Sequence, residues 1–130
     1  MTGFGSDYKT VRLPGGTTYR YVHIRPTRKN HPYLLFLHGF PSSAYDWRHQ
    51  IRYFREKGYG IIAPDLLGYG GTDKPADVAA YRFKKMAEEV VELLDCERTR
   101  KVVGIGHDWY VVLEFETSCF EFERMRPSDG

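Results

Sequence analysis

The sequence predicts an α/β fold: a mostly parallel sheet with helices on both faces and an antiparallel hairpin at its N-terminal end. Three observations predict it. Two short apolar runs, Tyr33 to Leu37 and Gly60 to Ala63, and a third, Lys101 to Ile105, are too brief for helices and too uniformly apolar for strands with one wet face. Helical periodicity fills the intervals between them. The first thirty residues instead alternate with period two on either side of a Pro-Gly-Gly turn.

Each element follows in order. Thr10 to Leu13 reads as a strand, Pro14-Gly15-Gly16 as a turn, and Thr18 to Arg25 as the returning strand. Pro26 to Pro32 is a charged loop. After Tyr33 to Leu37, the segment His38-Gly39-Phe40-Pro41-Ser42-Ser43 leaves the sheet. Trp47, Ile51 and Phe54 recur at helical spacing, and Gly58 stops that helix. Pro64-Asp65 closes the Gly60 strand, and Leu66 to Pro75 is a Gly-rich loop. Phe83, Met86, Ala87, Val90, Val91 and Leu94 mark one face of a second helix, with Lys84, Lys85, Glu88, Glu89 and Glu92 on the polar face. The last strand runs into Gly106-His107-Asp108-Trp109.

The composition bounds the function. With 130 residues the chain holds one domain. A net charge of +2, with Lys and Arg scattered, gives no electrostatic case for nucleic acid or an anionic membrane. No stretch approaches the roughly 18 apolar residues of a membrane span, and the polar start is not a signal peptide. A soluble, cytoplasmic protein is the expectation. Cys96 and Cys119 lack metal or redox spacing and read as lone thiols of a reducing compartment, with one disulfide between them as the alternative. His23, His31 and His49 have no metal-ligand spacing and read as surface or loop residues. No metal and no cofactor are expected.

In open parallel sheets, ligands sit beyond the carboxyl ends of the strands, where His38, Asp65 and Asp108 lie. Gly106-His107-Asp108-Trp109 reads as a nucleophile elbow, a tight strand-to-helix turn that tolerates only small flanking side chains. Gly106 meets this demand; Tyr110, on the far side, departs from it. Asp108 would be a carboxylate nucleophile, ionised at neutral pH without a base. It opens a strained or polarised C–O or C–halogen bond to give an ester. Hydrolysis of that ester needs a base and an oxyanion hole. The backbone N–H groups of Trp109 and Phe40 are the candidate donors; Pro41 has none to give. His38 reads as a loop brace bonded to backbone, His107 as pointing away from the pocket, and Asp65 as structural. A dinucleotide fingerprint starting at Gly104 is excluded because its third glycine falls on Trp109.

Three ordered motifs, His38-Gly39-Phe40-Pro41, Asp65 through Pro75 and Gly106-His107-Asp108-Trp109, resemble the soluble epoxide hydrolases of the α/β-hydrolase fold, in the flavour of fungal members. The resemblance covers Tyr8 to Trp109. It implies attack by Asp108 on an epoxide carbon, an oxyanion hole from Phe40 and Trp109, and a small-molecule epoxide substrate. An alkyl halide is the nearest alternative. It also implies parts that no residue here matches: a cap with two tyrosines, further strands, a later acid and a final histidine. Residues 1–109 therefore read as the N-terminal half of a hydrolase domain, catalytically incomplete as given, with a non-enzymatic fragment as the other class. Residues 110–130 alternate Leu113, Phe115, Phe120 and Phe122 with glutamates, a strand pattern or an unstructured segment foreign to the family. The family order puts the Lys101 strand at an exposed edge, open to pairing with this tail or to self-association.

Overall fold

The computed structural model describes residues 7–28, 31–38, 43–99 and 102–106. Gly39, Phe40, Pro41, His107, Asp108, Trp109, Tyr110, Cys119 and the alternating tail lie outside the described residues.

The hairpin comprises β1 (Tyr8–Arg12) and β2 (Thr18–Ile24), paired from Tyr8 opposite Val22 to Arg12 opposite Thr18. The strand starts earlier than its alternation suggests, and Leu13 leaves it to enter the core. Its turn closes with Gly16 at φ +102° and two backbone bonds, Gly16 N–H to Leu13 O and Leu13 N–H to Thr17 O, both 2.8 Å. A left-handed residue there favours glycine.

The apolar runs become β3 (Tyr33–Leu37), β4 (Gly60–Pro64) and β5 (Val102–Gly106). The sheet runs β1-β2-β4-β3-β5. Its β1–β2 and β2–β4 pairs are antiparallel, and β4–β3 and β3–β5 are parallel. Among the described residues β5 is an edge strand, as expected.

Side-chain alternation sends successive residues to opposite faces. Leu35, Leu37 and Ile62 pack on one face with Tyr19 and Tyr21 beneath helix α2 (Phe83–Cys96), which contributes Met86, Ala87, Val90, Leu93 and Leu94. Leu34, Phe36, Ile61 and Ala63 take the other face, beneath α1 (Arg48–Glu56) and its buried Ile51. A 3₁₀ turn, Ala44–Trp47, leads into α1, and Gly58 at φ +93° ends that helix. A second 3₁₀ turn, Val78–Tyr81, precedes α2 and is not foreseen by periodicity because it offers only four residues. Arg98 rather than a glycine takes the left-handed conformation after α2, at φ +53°.

Two expectations are corrected. Glu89 does not lie on a solvated face: it is buried, accepting from Tyr19 Oη at 2.8 Å and Thr17 Oγ1 at 2.9 Å, with Lys85 Nζ 3.6 Å away. The hairpin crosses beneath α2 and supplies donors where periodicity alone assigns water. His23 is neither a loop nor a surface residue. It lies in β2 with its side chain 8% exposed, its Nε2 3.0 Å from Tyr33 Oη and 3.2 Å from Glu97 Oε1.

Candidate active site at the carboxyl ends of the parallel strands

The register of β3 against β5 places Leu37 opposite Gly106. The chain therefore leaves the sheet at His38 and after Gly106 from adjacent strands at one edge of the fold. β4, the other neighbour of β3, leaves it at Asp65. The three motifs singled out in the sequence thus emerge together.

His38 is fully buried, and its Nε2 accepts the Leu66 N–H at 2.9 Å. A ring nitrogen that accepts carries no proton, so in this arrangement the imidazole is the Nδ1–H tautomer. The ring meets Tyr69 edge-on, centroids 5.3 Å apart. His38 thereby ties the end of β3 to the loop after β4.

Asp65 ties the same two segments in the opposite sense. It is fully buried, and its Oδ1 accepts the Ala44 N–H at 2.9 Å, at the start of the 3₁₀ turn. Oδ2 accepts the Gly71 N–H at 3.0 Å and Arg20 Nε at 2.9 Å, and a second Arg20 nitrogen also lies at 2.9 Å. A buried carboxylate without a counter-charge and donors would be costly; Arg20 and the two amides meet that demand. The Asp65 N–H in turn donates to Arg20 O at 2.8 Å.

The glycines of the loop make room for this carboxylate. A Cβ on Gly70, which sits at φ +53°, would come within 2.2 Å of Asp65 Oδ2, and one on Gly71 within 2.5 Å of Arg20 Nε. Thr72 completes the knot: its hydroxyl donates to Asp65 O and accepts the Arg20 N–H at 3.0 Å. Arg20 also lies over the Tyr8 ring, 4.3 Å from the centroid. Burial, then the nearby Asp65 charge, pushes the Tyr8 hydroxyl pKa up, against the pull of Arg20.

Sequence reasoning found His38 and Asp65 but passed over Arg20 and Thr72. The available signal is Arg20 itself, a charge between Tyr19 and Tyr21 in a strand with buried neighbours. Among the described residues no group of three or more His, Cys, Asp or Glu is arranged to hold a metal ion. No helix among them is long and apolar enough to cross a membrane.

The strand order, the two helical layers and the motifs at the strand ends define an α/β hydrolase, and the chain belongs to that family: the α/β hydrolase fold model matches residues 32–109. Epoxide hydrolases are among its relatives. It is 37% identical over 116 residues to epoxide hydrolase A of Mycobacterium tuberculosis, which covers 89% of this chain and 36% of that protein. It is 41% identical over 95 residues to epoxide hydrolase 3 of Siraitia grosvenorii, covering 73% of this chain and 30% of that protein. Among solved structures, an epoxide hydrolase from hot-environment metagenomes aligns with a TM-score of 0.82 at 38% identity, over 91% of this chain and 39% of the other. A mutant of a Vigna radiata epoxide hydrolase aligns with a TM-score of 0.83 at 31% identity, over 92% of this chain and 36% of the other. The chain thus spans 30% to 39% of the length of these relatives.

Proposed function

We propose that the chain carries the nucleophile half of an epoxide hydrolase, with Asp108 as the attacking carboxylate. The observation that most supports this is the pairing of Leu37 with Gly106, because the segment holding Phe40 and the segment holding Asp108 and Trp109 then start side by side. The epoxide hydrolase relatives add the substrate class.

In this reading an Asp108 carboxylate oxygen attacks an epoxide carbon, the ring C–O bond breaks, and the released alkoxide takes a proton from water. The product is an ester on Asp108. Water attack on the ester carbonyl would release a diol and restore the carboxylate. The backbone N–H groups of Phe40 and Trp109 would receive the negative charge that develops on the carbonyl oxygen in that second step. That step also needs a base, and no histidine follows Asp108 in this sequence. His38 does not serve, since its Nε2 is engaged by Leu66. Ester formation without rapid release is therefore the expected behaviour of this chain.

The test is mass spectrometry of the folded protein after incubation with styrene oxide, with peptide mapping and an Asp108→Asn control. One adduct, located on Asp108 and absent from the control, is expected. An unmodified Asp108 in folded protein overturns the reading. A primary alkyl bromide run in parallel decides between epoxide and halide chemistry.

A further inference from the structure

The backbone after α2 makes the bonds of a helix stop. The Glu97 N–H reaches the Leu93 and Leu94 carbonyls at 3.2 and 3.1 Å. The Arg98 N–H reaches Asp95 O at 3.0 Å, and the Thr99 N–H reaches Leu94 O at 3.1 Å. Such a stop needs one left-handed residue, and glycine is its usual occupant because a Cβ there crowds the next carbonyl. Gly58 serves α1 in this way, at φ +93°. After α2 the position falls to Arg98, at φ +53°, the sole non-glycine residue with positive φ among the described residues.

Backbone strain of this kind persists only where the surroundings fix it. Glu97, the residue before Arg98, supplies them. Its side chain is 9% exposed; Oε2 accepts from Lys9 Nζ at 2.8 Å and from Tyr21 Oη, and Oε1 lies 3.2 Å from His23 Nε2. His23 Nε2 is also 3.0 Å from Tyr33 Oη, and the two rings stack with centroids 5.6 Å apart. One carboxylate therefore joins the end of α2 to β1 and β2, and through His23 to β3. On the other side of Arg98, Thr99 is buried and stands three residues before Val102, the first residue of β5. Val102 pairs with the same Tyr33. The Glu97 cluster and the first rung between β3 and β5 thus share a residue.

We propose that Glu97 is a latch: its bonds to the hairpin hold Arg98 in the left-handed turn, and their release opens that turn together with β5. The strain at Arg98 works against the latch, so the closed turn is a loaded one. Opening is local. β2 and β4 stay paired from Tyr21 opposite Pro64 to Ile24 opposite Ile61, since none of those rungs depends on the turn. β5 is then the movable strand of the described sheet, and the hairpin governs it from a distance. This inference stands apart from the Asp108 reading above.

The experiment is amide hydrogen exchange on the full chain at pH 7, read at Thr99 and the β5 amides, with Val22 and Ala63 of the β2–β4 pair as reference. Glu97→Gln keeps the shape and removes the charge. It is expected to speed exchange at Thr99 and β5 about tenfold, the effect of weakening charge-assisted bonds, and to leave Val22 and Ala63 unchanged. Arg98→Gly removes the strain. Added to Glu97→Gln, it is expected to slow exchange at Thr99 and β5 back towards the wild-type rate. Tyr21→Phe deletes one bond to the latch and leaves Lys9 in place; it is expected to speed the same amides about threefold, and it decides the matter if Glu97→Gln does not fold. Wild-type exchange at Thr99 and β5 in both single variants overturns the latch. Equal acceleration at Thr99, β5, Val22 and Ala63 also overturns it, since Glu97 would then support the fold as a whole. Failure of Arg98→Gly to slow exchange beside Glu97→Gln overturns the claim that the turn is loaded.

Discussion

The Tyr19 hydroxyl donates to Glu89 Oε1 at 2.8 Å, joining β2 to the middle of α2 in the floor of the fold. Thr17 Oγ1 reaches the other carboxylate oxygen at 2.9 Å, so the hairpin presents two donors to one buried acid. Replacing Glu89 with Ala would remove the acceptor of both the Tyr19 and the Thr17 hydroxyls. The expected loss is about 1–3 kcal/mol, whereas Tyr19→Phe should lose about 1 kcal/mol, since Glu89 keeps Thr17. Urea denaturation of both variants checks the order; equal losses would contradict it.

Gly70→Ala should act through Asp65. The added Cβ meets the carboxylate at 2.2 Å, and φ +53° disfavours a side chain. Displacing a bonded, buried carboxylate on top of backbone strain is expected to cost about 2–4 kcal/mol. Gly15→Ala, with nothing within 4 Å, is the matched control and should stay within about 0.5 kcal/mol. Thermal denaturation of the pair reads the difference.

Ile51 is the sole fully buried side chain of α1 and packs with Phe36 and Ile61. Ile51→Ala should destabilise by about 2–5 kcal/mol. Arg52→Ala, exposed on the same helix, should change stability by under about 0.5 kcal/mol. Comparable effects at the two positions would mean that α1 is not held by that contact.

The cluster after α2 makes stability depend on pH. Burial alone would raise the Glu97 pKa, but the bonds from Lys9 Nζ, at 2.8 Å, and Tyr21 Oη, with the nearby His23, bring it below its ordinary 4.5. Burial lowers the His23 pKa below 6.5; Glu97 pulls it back up, and Lys9 and Arg25 lower it again. In both cases the unfolded chain binds the proton more readily than the folded one. Stability is therefore fully present above the unfolded value and lost as pH falls through the folded one. Urea midpoints should begin to fall just below pH 6.5 through His23 and fall further below about 4.5 through Glu97. His23→Gln should flatten the first decline and Glu97→Gln the second. A wild-type profile that is level from pH 7 to 4 would refute both.

The parallel strands were legible because β3 and β4 are buried on both faces, which leaves short, wholly apolar runs in the sequence, while the less buried β5 keeps an apolar run at the sheet edge. β3 has the bounds its apolar run suggests, Tyr33–Leu37. Glu89 and His23 were misread for one shared reason. Periodicity assigns a residue to a face of its own element, but it is blind to what another element brings to that face. Tyr19, Thr17, Tyr33 and Glu97 are distant in sequence from the groups they satisfy. Arg20 escaped notice likewise, because its meaning depends on Asp65 being buried, a tertiary fact. His38 and Asp65 were found because strand ends of this sheet type gather ligands.

The sheet order also bears on how the chain assembles. The pairing of Val11 with Tyr19 is local, while that of Tyr33 with Val102 closes a loop of roughly 70 residues, about 2 kcal/mol dearer in chain entropy. Among the described strands, β5 therefore makes the pairing that costs most in chain entropy, and its place beside β3 leans on a strand already held between β4 and the two helical layers.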